Sequence, residues 1–189
     1  MTERPKTTAR DLERSVRNIV RTLQNTRVPY MLIGAPALSA WGRPRATLDI
    51  DFMIMADDLP EKLVVGLAAI GFNRDLAWER HNPFLKGVHT RFHSADFDLD
   101  TLLRRDQHHD SAFKRRRKKH HERMFVWFPA PEDLILLKLR AGRPMDFEDV
   151  AGIFERVGGQ LDLHYLSRWA RRLGIMEELN YLIGQFKRD

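Results

Sequence analysis

Arg45-Ala46-Thr47-Leu48-Asp49-Ile50-Asp51-Phe52-Met53-Ile54-Met55 is the stretch on which the reading of this chain turns. Residues 48–55 form an apolar run of strand length, preceded by the loop residues Gly42, Arg43 and Pro44, and two carboxylates interrupt it. Side chains alternate faces along a strand, so Asp49 and Asp51 project from the same side, about 6–7 Å apart along the backbone. Two like charges held that close call for a cation. Hard carboxylate oxygens suit Mg²⁺ (or Mn²⁺), which leaves coordination sites for water and phosphate oxygens.

On the N-terminal side, residues 28–33 read as a buried strand ending at Gly34, and residues 36–41 as a short helix of small residues. Leu12, Val16, Ile19, Val20 and Leu23 recur at spacings of three and four, the stripe of an amphipathic helix over residues 8–23. The turn at Gly34 and the helix amides beyond it offer an approach for an anion. Arg43 and Arg45 flank the carboxylate strand, where a guanidinium can meet a triphosphate or remain solvated.

On the C-terminal side, residues 60–70 suit a helix stopped by Gly71, and residues 88–93 and 97–103 suit two strands around a Ser94-Ala95 turn. Asp98 and Asp100 repeat the spacing of Asp49 and Asp51 on the second of these. If the two carboxylate strands are neighbours, three or four acids converge on one volume. Val126 and Trp127 suit a further strand, and helices are expected over residues 131–140, 147–157, 161–173 and 176–186. The expected class is α+β: a mixed β-sheet with flanking helices and a C-terminal helical segment. Residues 1–128 would form the core with its N-terminal helix, and residues 129–189 a helical region packed on it.

The chain has 189 residues, 43% hydrophobic and 31% charged, so it can bury one proper core. It contains no cysteine, which excludes disulfides, thiolate metal sites and thiol nucleophiles. The first fourteen residues are polar, so neither a leader nor a membrane partner is expected, and the location expected is cytoplasmic. The net charge of +6 is concentrated in one run, Lys114-Arg115-Arg116-Arg117-Lys118-Lys119-His120-His121. Such a block is either an exposed helix face or an electrostatic footprint for nucleic acid, and RNA is the partner expected, bound by Lys114, Arg115, Arg116, Arg117, Lys118 and Lys119. The adjacent histidine pairs lack helical ligand spacing, so zinc is not expected. Glu132 and Asp133 read as first-turn charges favoured by the helix dipole, and Asp149 as equally well a surface acid.

These motifs resemble a family. Gly34-Ala35 and Asp49-Ile50-Asp51, with thirteen residues between, are similar to the Gly-(Gly/Ser) and Asp-x-Asp signature of the polymerase-beta-like nucleotidyltransferases. Phe97-Asp98-Leu99-Asp100-Thr101-Leu102-Leu103 resembles the strand of the third carboxylate, and the trailing Leu-Leu favours Asp100 over Asp98. Pro131 to Leu139 resembles the Asp-x-x-x-x-Lys motif of the AbiEii-like toxins and related minimal nucleotidyltransferases, and Arg143 to Val150 their last motif. The resemblance implies metal ligands Asp49, Asp51 and Asp100, with Lys138 at the nucleotide phosphates and Asp146 supporting it. Gly34, Ala35, Arg45 and Thr47 would complete the nucleotide site. Ala35 stands where a second glycine or serine is usual, and Met145 where a basic residue often precedes the aspartate.

The activity implied is metal-dependent transfer of a nucleoside monophosphate from a nucleoside triphosphate to an acceptor hydroxyl. The implied acceptor is RNA, a tRNA end above all, with the protein a toxin paired with a cognate antitoxin. The alternative is a catalytically silent nucleotide- or RNA-binding regulatory or antitoxin module. A small-molecule enzyme modifying an antibiotic is a third reading, one that an acidic acceptor cleft would favour.

Overall fold

The apolar runs of the sequence become the strands β1 (Tyr30–Ile33), β2 (Asp49–Ile54), β3 (Asn73–Arg74), β4 (His89–His93) and β5 (Asp98–Leu103) of one sheet, ordered β1-β2-β5-β4-β3. A computed structural model describes residues 8–121 and 124–186. The β2–β5 pair is parallel and the other pairs are antiparallel, so the sheet is mixed. A separate antiparallel ribbon joins β6 (Arg117–His121) to β7 (Met124–Phe128). The helices are α1 (Ala9–Asn25), α2 (Gly34–Trp41), α3 (Glu61–Ala68), α4 (Leu76–His81), α5 (Gln107–Arg115), α6 (Pro131–Ala141), α7 (Pro144–Val157), α8 (Leu163–Leu173) and α9 (Met176–Phe186). None of the described helices is long and apolar enough to cross a membrane.

Register gives the sheet two unlike faces. Tyr30, Leu32, Ile50, Phe52, Ile54, Leu99 and Phe92 share one face and enter a single apolar cluster that runs from Val16 of α1 to Leu182 of α9. The opposite face carries Met31, Ile33 and Met53, packed with Ala112 and Phe113 of α5, and beside them the carboxylates. An apolar face buried this completely supplies most of the driving force, at roughly 25 cal/mol per Å² removed from water. The carboxylate face is thereby fixed in orientation, because a one-residue slip would put the acids into the core.

The observed order interposes β3, α4 and a 3-10 turn, Pro83–Leu85, between α3 and β4, where the sequence reading ran directly from helix to strand. The cause is local chemistry: β3 is only two residues long, and α4 is a single capped turn and a half begun by the Asp75 side chain, which accepts from Trp78 N. α5 was missed as well. Its start is set by Asp106, whose side chain accepts from His109 N, and its buried face is made of His108, His109, Ala112 and Phe113 rather than a run of aliphatics. The basic run is not one helix face, since α5 ends at Arg115 and β6 begins at Arg117.

Glu132 and Asp133 do more than favour the α6 dipole. Asp133 is fully buried and accepts from Tyr165 Oη at 2.5 Å and Arg115 Nε at 3.1 Å, with His108 Nε2 3.3 Å away. Glu132 accepts from Arg115 Nη2 at 2.7 Å and from the Asp162 amide at 3.1 Å. This buried cluster ties α5, α6 and α8 together. Burial, and then Asp133, push the Tyr165 hydroxyl pKa up, so the phenol remains a donor.

Breaking a buried ion pair by removing one partner strands the other in low dielectric. Asp133→Ala is expected to cost about 3–5 kcal/mol by that argument, and Tyr165→Phe about 2 kcal/mol, because its hydroxyl bonds both Asp133 and the Ser111 hydroxyl, the latter at 3.0 Å. Urea denaturation midpoints of the two variants check this, and equal effects would contradict it.

Candidate active site

The parallel pairing of β2 with β5 sets Asp49 opposite Asp98 and Asp51 opposite Asp100, so the carboxylates of the two strands stand in two rows on one face. On the other side of β5, β4 places Arg91 opposite Asp100 and His93 opposite Asp98. Arg91 holds Asp100 in a bidentate pair, Nε to Oδ1 at 2.8 Å and Nη2 to Oδ2 at 2.6 Å, and His89 Nε2 lies 3.1 Å from Oδ1. Trp78 of α4 packs on His89 and beneath the Arg91 guanidinium, fixing both. His93 Nδ1 meets Asp98 at 2.8 Å.

Gly34 is required where it stands. Its φ is +66°, and a Cβ there would lie 2.0 Å from Asp51 Oδ2, so only glycine lets the carboxylate close on the turn between β1 and α2. Ala35 is buried next to it. Asp51, enclosed in this way, has its pKa pushed up to about 6 by burial first and then by the charges of Asp100 and Asp49. Asp100 goes the other way: burial opposes ionisation, but its bonds to Arg91 and His89 outweigh it and hold the carboxyl below the usual range. A row of acids in which Asp51 is short of positive charge fits a hard divalent cation, and Asp51 would gain most from it.

Lys138 sits on α6, which ends at the left-handed Gly142 and turns into Pro144 of α7. That tight connection brings Asp146 and Asp149, one helical turn apart, to face it. Lys138 is only 5% exposed, and its Nζ donates to Asp149 Oδ2 at 2.6 Å and Asp146 Oδ1 at 3.3 Å. Asp149 is therefore a buried hub and not a surface acid, and it also takes Arg45 Nε at 3.0 Å. Arg143 Nε meets Asp146 Oδ2 at 2.8 Å, so the basic partner that Met145 does not supply comes from two residues earlier, while Met145 is exposed.

A cavity of about 430 Å³ opens on Gly34, Asp51, Asp100 and Lys138, and Arg105, Arg140, Arg143, Asp146, His89 and His109 complete its polar wall. Asp49, Arg45 and Thr47 line a second cavity of about 820 Å³ with Leu12 and Phe97, so the predicted residues divide between two adjoining spaces. Arg43 turns away to Glu155. Among the described residues, Asp106, His108 and His109 also bring ligand atoms within 4.8 Å of one another. Arg140 Nη1 already fills that place, 2.8 Å from Asp106 Oδ2 and 3.4 Å from His109 Nε2, and His109 Nδ1 accepts the Arg105 amide. Burial takes the His109 pKa down to about 4, which keeps the imidazole neutral beside those cations.

The basic run is only partly free. Arg115 serves the buried acids, Arg116 lies over Trp127, and Lys119 lies over Trp41 and donates to the Ala40 carbonyl. Lys114, Arg117 and Lys118 are exposed.

Gly34→Ala is expected to displace Asp51 and reduce turnover at least about a hundredfold while the fold survives, as small misplacements of reacting groups do; steady-state kinetics with circular dichroism check it. Metal-free stability gives a second test. Because the folded pKa of Asp51 is raised, the stability it contributes at acid pH is lost as pH rises from 3.8 through about 6. Asp51→Asn should match the wild type below that window and exceed it by about 3 kcal/mol at pH 8, read from urea denaturation in a chelator. A constant difference across pH would contradict the assignment.

No curated protein matches the chain in sequence. Among solved structures, the antibiotic-resistance factor ANT(2'')-Ia in solution superposes with a TM-score of 0.64 at 12% identity, covering 92% of this chain and 99% of that one. The lincosamide antibiotic adenylyltransferase LnuA, in its lincomycin-bound crystal structure, superposes with a TM-score of 0.54 at 16% identity, covering 75% of this chain and 95% of that one. At such identities the likeness establishes the fold. Sequence establishes more: residues 10–182, from the first turn of α1 to α9, match a family of nucleotidyltransferases of unknown function, DUF6036, and to that enzyme family the chain belongs.

Proposed function

We propose that the protein transfers a nucleoside monophosphate from a nucleoside triphosphate to a hydroxyl of RNA, with Mg²⁺ or Mn²⁺ held by Asp49, Asp51 and Asp100. The observation that carries this is the register of β2 on β5, which aligns Asp51 with Asp100 beside Gly34 and opens that row onto a cavity walled by Lys138, Arg105, Arg140 and Arg143. When bound, the cation would neutralise the triphosphate and polarise the α-phosphate.

The chain's own groups account for the rest. The amide turn at Gly34 and Ala35 and the cations Lys138 and Arg143 hold the phosphates, and Asp146 and Asp149 hold Lys138 in place. Arg45 and Thr47 stand at the Asp49 end, where Thr47 Oγ1 accepts the Asp49 amide and keeps the strand start in shape. The acceptor oxygen forms a bond to the α-phosphorus as the bond to the bridging oxygen breaks, and pyrophosphate leaves. The hydroxyl proton passes to a carboxylate. Asp100 can take it only with the Arg91 pair loosened, because that pair lowers its basicity.

The exposed Lys114, Arg117 and Lys118 support a polyanionic acceptor over a cationic antibiotic. Modification of an RNA end would arrest growth, and a toxin restrained by an antitoxin is the cellular role that follows from this reading, in line with the AbiEii-like motifs.

Incubation with each α-labelled nucleoside triphosphate, Mg²⁺ or Mn²⁺ and total RNA tests it. Label is expected on RNA with the wild type, and at least about a thousandfold less with Asp51→Asn. Label on a small molecule alone would replace the acceptor, and transfer undiminished in Asp51→Asn would remove the carboxylate from the mechanism.

A further inference from the structure

The β6–β7 ribbon has a face that the nucleotidyl transfer site does not use. Register pairs Lys118 with Trp127 and His120 with Phe125, so these four side chains project together. The other face of the ribbon carries Val126 and Phe128, both buried in the core. The outward face is therefore fixed by packing beneath it. Phe125 is 55% exposed, Trp127 is half-buried, and Arg116 and Lys118 lie over the Trp127 ring at 4.6 and 6.0 Å. Lys118 also lies 5.4 Å from the Phe125 ring, and His120 meets that ring edge-on at 5.4 Å. Neither strand contains an aspartate or glutamate.

Charge on an edge strand also guards against strand addition, and lysine alone would serve that purpose. Two aromatic rings on the solvent face do not serve it; they expose apolar surface where protection calls for its absence. Rings at alternate positions of one strand stand about 6–7 Å apart, roughly twice the 3.4 Å rise of stacked bases, so each can take a base. Aromatic platforms set among cations are how single strands are held without reading their sequence.

We propose that the outward face of the β6–β7 ribbon binds single-stranded nucleic acid, stacking bases on Phe125 and Trp127 and meeting phosphates with Lys118 and the exposed Lys114. The proposal rests on the RNA-acceptor reading for its purpose but not for its binding chemistry. The ribbon is a docking surface that delivers a strand, and duplex, whose bases are already stacked, gains nothing from the rings.

Fluorescence anisotropy with labelled single-stranded RNA, single-stranded DNA and duplex RNA of equal length, across a salt series, tests it on the full chain. Single strands are expected to bind more tightly than duplex and to quench tryptophan fluorescence. Phe125→Ala, a surface change, should weaken single-strand binding about tenfold, and Lys118→Ala should lower the salt slope by roughly 0.7. Equal affinity for RNA and DNA, or a preference for RNA, identifies which strand the platform serves, and both support it. Binding unchanged in both variants, a preference for duplex, or equal competition by polyglutamate would overturn it. Asp51→Asn separates the two readings. Strand binding retained in that variant, with no label transferred to RNA by the wild type, sinks the acceptor reading and leaves the platform standing. Label transferred equally by wild type and Phe125→Ala, with equal binding, does the reverse.

Discussion

Everything in the site depends on one backbone fact, the parallel register of β2 on β5. Parallel strands require a long crossover, and here it comprises α3, β3, α4 and β4. The register fixes which acids stand side by side, and the apolar face beneath fixes the register, because Ile50, Phe52 and Leu99 are fully buried. Asp51 is thus held where its own electrostatics are unfavourable. Such an arrangement is stable only because the core on the opposite face outweighs it, and a bound cation would resolve it.

The charges around that row are not distributed at random. Asp100 is balanced by Arg91 and approached by His89, Asp98 by His93, and Asp146 and Asp149 by Lys138, Arg143 and Arg45. Asp51 has no such close ion pair among the described residues; its compensation from Arg143 and Lys138 acts at longer range. The network therefore leaves its deficit of positive charge at the carboxylate against Gly34. Arg105, Arg140 and Arg143 line the same cavity. A triphosphate carrying a divalent cation complements both at once.

Much of this was legible in the sequence, and what was not has a physical reason. Asp49-Ile50-Asp51 within an apolar run identifies both the strand and its carboxylate face, because alternation is a local property. The Lys138–Asp146 pair is legible from motif spacing. Arg91 was not. A two-residue turn at Ser94-Ala95 would pair Arg91 with Asp98, whereas the turn spans Ser94 to Phe97, held by the Ser94 amide donating to the Phe97 carbonyl at 3.0 Å, and Arg91 faces Asp100. Two residues of turn length decide which acid is neutralised. Asp133 and Asp149 were read as dipole and surface charges because nothing local marks a buried acid; their partners Arg115, Tyr165 and Arg45 are distant in sequence. α5 was hidden by its own composition, since its buried side is partly histidine.

The central claim is that the row of Asp49, Asp51 and Asp100 holds a divalent cation. Direct titration with Mn²⁺, followed by electron paramagnetic resonance, measures this without reference to substrate. The account predicts that Asp51→Asn and Asp100→Asn, with unchanged circular dichroism, lower Mn²⁺ affinity by about tenfold or more, whereas Asp106→Asn, beside the Arg140-filled histidine cluster, leaves it unaltered. Affinity that survives in the first two variants, or is lost in the third, would contradict it.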